Sequence, residues 1–382
     1  MNSKMQPSKK IKVLHVYKTY HPETNGGIEM VLHQLMQHLN DFNVESKLFV
    51  LSPTATPSRI QYEEGEVIRC RTTLEISSNP MSLKALTQFA DEAKWADVIH
   101  YQFPWPFGDL LHLLRGNKKP SVVSYQSDIV RQKMLMSLYE PIMNLFLSKV
   151  NRVCTSSPAY LKSSEILSKL PNKVTVIPNG IDTSACPPAP EKCLNHWKEK
   201  FGKGFFLFIG VLRYYKGLHT LIEAAALTKY PVVIAGEGPE EINLQKKATQ
   251  LGANNIFFTG KISNEEKSAL LSLCGSFVFP SHLRSEAFGM SLVEASIYKK
   301  PLITCEIGTG TTFVNIDEET GIVVPPEDAK ALARAMQRLH TDQALAKSMG
   351  EAAYLRYQQL FTATEMARQY RDVYDEVLQE RL

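Results

Sequence analysis

From Ile11 onward, short β-branched apolar runs alternate with longer stretches whose apolar positions recur at helical spacing. Ile11–Tyr17 has the composition of a strand. Ile28, Val31, Leu32, Leu35, Met36 and Leu39 then fall on one face of a helix. Lys47–Leu51, Asp97–Tyr101, Ser121–Tyr125, Arg152–Thr155 and Lys173–Ile177 continue as strands, with helical patterns such as Met81–Ala93 and Pro158–Lys169 between them. This βαβ series predicts a parallel sheet with helices on both faces. The rhythm breaks at Ile181–Phe201, which holds Pro187, Pro188 and Pro190 and is expected to be a linker. It restarts with strand Phe205–Gly210 and runs through strands Pro231–Ala235, Asn255–Thr259, Ser276–Pro280 and Pro301–Thr304. The tail from Asp328 to Leu382 is largely helical. The expectation is an α/β protein of two doubly wound domains. Ligands in such sheets sit at the C-terminal ends of the strands, so two sheets facing each other leave a cleft.

The length of 382 residues agrees with two domains. A net charge of +4 is too balanced for a protein that coats nucleic acid. Apolar stretches fall well short of the ~20 residues of a membrane helix, and the run Val13–Tyr17 is too short for a signal peptide. The six cysteines include no Cys-x-x-Cys pair and no zinc-like spacing. Reduced thiols and a cytoplasmic protein are the expectation.

Three segments carry candidate chemistry. The first, Pro22-Glu23-Thr24-Asn25-Gly26-Gly27, lies between a strand and a helix. Two readings stand: a phosphate site at a helix N-terminus, or a plain turn. The second, Gly210-Val211-Leu212-Arg213-Tyr214-Tyr215-Lys216-Gly217, puts two cations at a strand end, either for phosphate oxygens or as a solvated basic turn. The third, Ser285 to Ala295, holds Glu286 in a loop and Glu294 in the next helix, with Gly289 opening that helix. Carboxylates accept hydrogen bonds from paired hydroxyls, which suits ribose and sugar recognition. Glu294 has apolar neighbours Leu292, Val293, Ala295 and Ile297, so it reads as a partly buried carboxylate in need of partners.

The Glu-x7-Glu pair, the Gly-Gly loop, Ile177-Pro178-Asn179-Gly180-Ile181-Asp182, the Lys216-Gly217 turn and Gly236-Glu237-Gly238-Pro239 occur together and in order. The set resembles the retaining nucleotide-sugar glycosyltransferases of the GT-B fold. The resemblance implies two Rossmann-like domains facing a central cleft. Residues 1–182 and the returning helix 363–382 would hold the acceptor, and residues 183–362 the nucleotide sugar. It implies that Glu294 binds the ribose and Glu286 the donor sugar. Phe288, Gly289 and Met290 would meet the diphosphate and sugar. Lys216 would stabilise the leaving group, Gly26 and Gly27 would approach it, and Ile262 would lie near the base. No cofactor and no obligatory metal are expected, because cations and a helix N-terminus can compensate the departing charge.

Two departures from the family pattern stand out. Where the family often reads Gly-Arg-Leu, this chain has Gly210-Val211-Leu212, and Arg213 is the candidate replacement. Where the family commonly places a His after the strand Ser121–Tyr125, this chain has Gln126. Gln hydrogen-bonds but does not titrate near neutral pH. Gln126 either keeps a positioning role or lowers activity. Asp128 either assists beside Gln126 or caps a helix before Ile129. His100 either lines the cleft or is a core histidine.

The segment Arg131–Arg152 is Met-rich and apolar with basic ends at Arg131, Lys133, Lys149 and Arg152. Two readings stand: a core helix, or contact with an anionic membrane surface. Lys4, Lys9, Lys10 and Lys12 would add attraction. Met136, Tyr139 and Trp105-Pro106-Phe107 are acceptor-side candidates. Within the family the wording of Tyr17–Glu29 and Val123–Arg131 is most like bacterial O-antigen mannosyl- and rhamnosyltransferases. That implies GDP-mannose as donor, a polyprenyl-pyrophosphate-linked sugar as acceptor, and other polysaccharide-assembly enzymes as possible partners at the inner membrane face. The alternatives are a GT-B-fold sugar-nucleotide epimerase and a non-catalytic nucleotide-sugar-binding subunit. A glycosidase would also use two carboxylates, but it has no need of the Gly-Gly loop or Lys216.

Overall fold

The computed structural model describes residues 10–116, 118–129, 133–170 and 172–380, with the backbone alone at 133–138. The chain forms two compact units. The first comprises the residues up to Ser156, Ser164–Gly180 and the C-terminal segment from Ala363. The second comprises Ser157–Ser163 and Ile181–Thr362.

The first unit is built on strands β1 (Ile11–Val16), β2 (Val44–Ser52), β3 (Arg59–Tyr62), β4 (Gly65–Arg71), β7 (Val98–Phe103), β8 (Ser121–Tyr125), β9 (Arg152–Thr155) and β10 (Val174–Val176). They form one sheet in the order β10-β9-β8-β7-β1-β2-β4-β3, parallel except for β3 against β4. A separate ribbon pairs β5 (Leu74–Ile76) with β6 (Asn79–Met81). Strands β1, β7 and β8 are buried almost throughout, as expected where helices cover both faces. The helices include α1 (Gly27–Leu39), α2 (Leu83–Trp95), α3 (Pro106–Leu111) and α4 (Lys133–Lys149).

The last helix, α14 (Ala363–Gln379), packs on α1 and lies over the first sheet. Its Tyr374 hydroxyl is 2.7 Å from Nδ1 of His100, and its Tyr370 hydroxyl is 2.5 Å from Ser124 Oγ. Ser124 in turn lies 2.7 Å from His100 Nε2. His100 is therefore a core histidine. Burial, with a smaller contribution from the neighbouring His15 ring, holds its pKa well below the ordinary value.

The second unit contains α5 (Pro158–Ser163), α6 (Glu191–Phe201), β11 (Phe206–Ile209), α7 (Leu218–Thr228), β12 (Val232–Ala235), α8 (Glu241–Gln250), β13 (Ile256–Gly260), α9 (Asn264–Leu273), β14 (Ser276–Phe279), α10 (Met290–Ile297), β15 (Leu302–Cys305), α11 (Thr311–Val314), β16 (Gly321–Val324), α12 (Ala329–Thr341) and α13 (Gln343–Leu360). Its sheet is wholly parallel, in the order β13-β12-β11-β14-β15-β16.

Several expectations change. Ile181–Phe201 is not a linker throughout. Ile181 bridges Thr362, its carbonyl accepts from the Tyr357 hydroxyl at 3.1 Å, and Asp182 caps a short turn at Thr183–Ala185. Helix α6 follows, with Trp197 buried, stacked on Phe201 and packed towards α9. Leu194, Trp197 and Phe201 share one helical face, a pattern the prolines before it obscured. The helix expected at Met81–Ala93 runs Leu83–Trp95, because Met81 ends β6. The helix expected at Pro158–Lys169 ends at Ser163, with a single 3-10 turn at Leu167–Lys169. The turn that Asp128 is expected to cap runs into residues 130–132, which lie outside the described residues. The Asp128 carboxylate accepts from the Tyr125 and Ser164 hydroxyls at 2.9 and 2.8 Å.

Arg131 lies outside the described residues, as do Lys4 and Lys9 and the side chains of Lys133, Met134, Leu135, Met136 and Leu138. In the rest of that segment Met143, Phe146 and Leu147 are buried, and the Tyr139 hydroxyl donates to Asp109. Trp105 and Phe107 are also buried, with Trp105 Nε1 donating to the Pro80 carbonyl at 3.2 Å, so that loop supplies core packing rather than an open surface.

Candidate active site

Numbered by occurrence, the second sheet reads 3-2-1-4-5-6. Its order reverses between β11 and β14, and open α/β sheets bind ligands at the strand ends flanking such a reversal. The segments that leave these two strands are Gly210–Gly217 and Pro280–Gly289, which hold most of the second unit's candidate residues.

Lys216 ends a 3-10 turn at Tyr214–Lys216, and its ammonium pairs with Oε2 of Glu286. Both side chains are largely shielded from solvent. The same ammonium lies 4.5 Å from the centre of the Phe279 ring. Ser281 Oγ is 3.4 Å from the same Glu286 oxygen. The turn depends on Gly217, whose φ is +68°. A Cβ there would overlap the Pro280 carbonyl oxygen, so only glycine lets the Lys216 turn and the loop after β14 come this close.

Glu294 sits in α10 with 5% exposure. Lys267 of α9 reaches its Oε1 at 2.5 Å. Burial disfavours the Lys267 ammonium, but the Glu294 carboxylate outweighs this and raises its pKa above the ordinary lysine value. The pair leaves Oε2 of Glu294 available for a hydroxyl. The sequence reading found Glu294 and its need of a partner but not Lys267. Only the packing of α9 beside α10 reveals that lysine.

Helix α10 is capped by Gly289 at φ +91°, and no side chain caps it. First-turn N–H groups without an internal partner attract anions. Phe288 is buried and Met290 half-buried at this end. Ile262 is half-buried beside the capping box of Ser263 and Glu266 that opens α9. Arg213 is exposed and lines a cavity of about 120 Å³ with Tyr214, His219, Glu240, Asn243 and Lys247. The structure thus brings Lys216 to Glu286 and gives Arg213 different neighbours.

In the first unit, Gln126 follows β8. Its Nε2 donates to Gln102 Oε1 at 3.1 Å, and its Oε1 accepts from Asn179 Nδ2 at 3.3 Å. Asn179 belongs to the Ile177–Asp182 motif, so the glutamine is fixed from two sides. Gly26 and Gly27 are exposed at the start of α1. The loop leading to them is tied down. Glu23 pairs with Arg69, Thr24 Oγ1 donates to Glu29 Oε1 at 2.7 Å, and the Tyr20 hydroxyl donates to Glu64 at 2.9 Å.

The family described as Glycosyl transferases group 1 matches residues 194–356, and Glycosyltransferase Family 4 matches residues 25–185. The chain is 47% identical to D-rhamnosyltransferase WbpZ of Pseudomonas aeruginosa over 353 residues, covering 92% of this chain and 93% of that protein. It is 44% identical to O-antigen chain mannosyltransferase C of Escherichia coli over 371 residues, covering 97% and 100%. Among solved structures, sucrose-phosphate synthase from Thermosynechococcus elongatus superposes with a TM-score of 0.80 at 20% identity, over 97% of this chain and 100% of that one. Anabaena HepE in complex with UDP and glucose gives 0.77 at 17%, over 96% and 99%. At such identities these structures speak for the fold alone. The chain belongs to the glycosyltransferases that carry a family 4 and a group 1 domain on the GT-B fold.

Proposed function

We propose that this protein is a retaining hexosyltransferase of O-antigen assembly, moving mannose from GDP-mannose onto a polyprenyl-pyrophosphate-linked sugar. The observation that carries the site is the pair of shielded acid–base contacts, Lys216–Glu286 and Lys267–Glu294, on segments next to the reversal of the second sheet. The relatives named as O-antigen mannosyltransferase and D-rhamnosyltransferase support the sugar class and the pathway.

In this reading Glu294 accepts the ribose hydroxyls while Lys267 holds its other oxygen. Glu286 accepts donor-sugar hydroxyls. Lys216 turns from Glu286 to the diphosphate as negative charge develops on the leaving group, assisted by the N–H groups of Gly289 and Met290 and by Arg213. Ile262 contacts the base. Gly26 and Gly27 offer an anion the same backbone chemistry at α1. Gln126, fixed by Gln102 and Asn179, positions the sugar where the family commonly has His. Charge compensation by lysine, arginine and helix N–H groups needs no divalent ion in the reaction itself.

We assign the acceptor to the first unit and the donor to the second. The protein acts in the cytoplasm, peripherally on the inner membrane face, beside other polysaccharide-assembly enzymes. Among the described residues no helix is long and apolar enough to cross a membrane.

The experiment is nucleoside diphosphate release from GDP-mannose in EDTA, with and without a sugar-pyrophosphoryl-lipid acceptor. Acceptor-dependent release of GDP supports the reading. Turnover of the donor without acceptor, to another sugar nucleotide, supports the epimerase instead.

A further inference from the structure

Next to the Lys216 turn, His219, His282 and Glu327 converge from three segments: the first turn of α7, the loop after β14 and the turn after β16. One candidate ligand atom from each lies within 4.8 Å of the others. Nε2 of His219 is 3.9 Å and Nε2 of His282 is 4.0 Å from the same carboxylate oxygen of Glu327.

His282 makes this more than a chance cluster. It is 7% exposed, and among the described residues neither ring nitrogen has a hydrogen-bond partner. Its Nδ1 is 3.3 Å from where a side chain on Gly217 would begin, and its Nε2 lies towards Glu327. Its own N–H donates to the Tyr215 carbonyl at 3.0 Å, which fixes the loop. Tyr214 packs on both rings, stacked on His219 and edge-on to His282. A buried imidazole with two unanswered nitrogens is costly.

Glu327 supplies the third ligand from the turn after β16. Its φ is +59°, a left-handed conformation uncommon for a residue that carries a side chain. Its carboxylate is 60% exposed, so the cluster opens to solvent on that side. Lys247, the cation nearest on α8, is already paired with Glu223.

We propose that His219, His282 and Glu327 form a binding site for a divalent transition metal of the zinc type. Two imidazoles and one carboxylate suit zinc, cobalt or nickel, whereas magnesium and calcium prefer oxygen ligands throughout. Tetrahedral zinc sites hold ligand atoms roughly 3.3 Å apart, so the separations here, 3.9 and 4.0 Å to Glu327 and no more than 4.8 Å across the set, close by side-chain adjustment. The bound ion ties the Lys216 turn to the loop that carries Glu286. It acts on the order of these segments and takes no part in the transfer step.

The test uses the full chain stripped of metal, titrated with Zn²⁺ alone and with Co²⁺ alone, and with Mg²⁺ as the comparison ion. The expected result is stoichiometric Zn²⁺ binding with a rise in Tm, ligand-field absorption of four-coordinate Co²⁺, and no response to Mg²⁺. His282→Ala and His219→Ala should each weaken Zn²⁺ by about tenfold or more. Glu327→Gly keeps the left-handed backbone without steric cost, so its metal-free Tm should match or exceed that of the parent while the Zn²⁺-induced rise shrinks. This variant carries the test if a histidine variant fails to fold. No Zn²⁺-dependent rise in the parent, or Zn²⁺ affinity unchanged in Glu327→Gly, would overturn the proposal.

Discussion

The ammonium of Lys267 lies 2.5 Å from Oε1 of Glu294, on neighbouring helices of the second unit with both side chains largely buried. The second carboxylate of the Glu-x7-Glu pair is thereby held by a cation from the neighbouring helix. Lys267→Met leaves that carboxylate buried without its cation, which costs about 3–5 kcal/mol when a buried pair loses one member. Urea unfolding should show this loss, and Lys267→Met with Glu294→Gln should recover much of it. Both variants should bind nucleoside diphosphate more weakly by calorimetry. Equal stability of Lys267→Met and the parent would remove the pairing from the account.

The two glutamates should separate kinetically. If Glu294 holds the ribose as proposed, Glu294→Ala removes a contact made before and during transfer, so KM for the donor rises while kcat changes little. Glu286→Ala removes the partner of Lys216 and, in the proposed role, a contact to the reacting sugar, so kcat falls by about 10²-fold or more. Steady-state kinetics against donor concentration distinguish these outcomes. Normal kinetics in both variants would displace the site from this loop and helix.

Gly217→Ala should fail for a backbone reason. The residue sits at φ +68°, and its Cβ would meet the Pro280 carbonyl. A strained position of this kind costs about 1–3 kcal/mol. Thermal unfolding measures that cost, and activity should fall further than stability because Lys216 is the adjacent residue.

Stability should fall in acid through the first unit. Burial alone would raise the pKa of Glu23, but hydrogen bonds from Ser52 and Arg69 outweigh it and lower it below the ordinary value of 4.5. A lowered folded-state pKa means that the stabilisation is complete above 4.5 and fades as pH drops below it through the folded value. Glu23→Gln should be less stable than the parent at neutral pH and should lose less on going to pH about 3. Parallel stability profiles for the two proteins would contradict the role of the Glu23–Arg69 pair.

Much of the second unit was legible in the sequence because its signals are local. Lys216 and Gly217 end one βα connection, and Glu286 and Gly289 stand in another. Glu294 betrayed itself as a carboxylate among apolar neighbours. Lys267 did not, because its partner is 27 residues away and only helix packing joins them. Asn179 and Gln102 as supports of Gln126, and His282 beside His219 and Glu327, were hidden for the same reason. Strands β3 to β6 were missed because they are short and polar at many positions; in β4 the buried Arg69 breaks the apolar run until Glu23 answers it. The fully buried environment of His100 and Trp105 likewise depended on partners far along the chain, Tyr374 for the one and Pro80 for the other.

The most direct measurement is GDP release by the purified chain from GDP-mannose in EDTA, with a sugar-pyrophosphoryl-lipid acceptor, for the parent and Gln126→His side by side. The account predicts acceptor-dependent GDP release by the parent, with the α-anomeric configuration retained in the product. Silence of the parent with activity in Gln126→His would contradict the positioning role given to Gln126. Silence of both, with GDP-mannose still bound, would contradict the transferase account and leave a nucleotide-sugar-binding subunit.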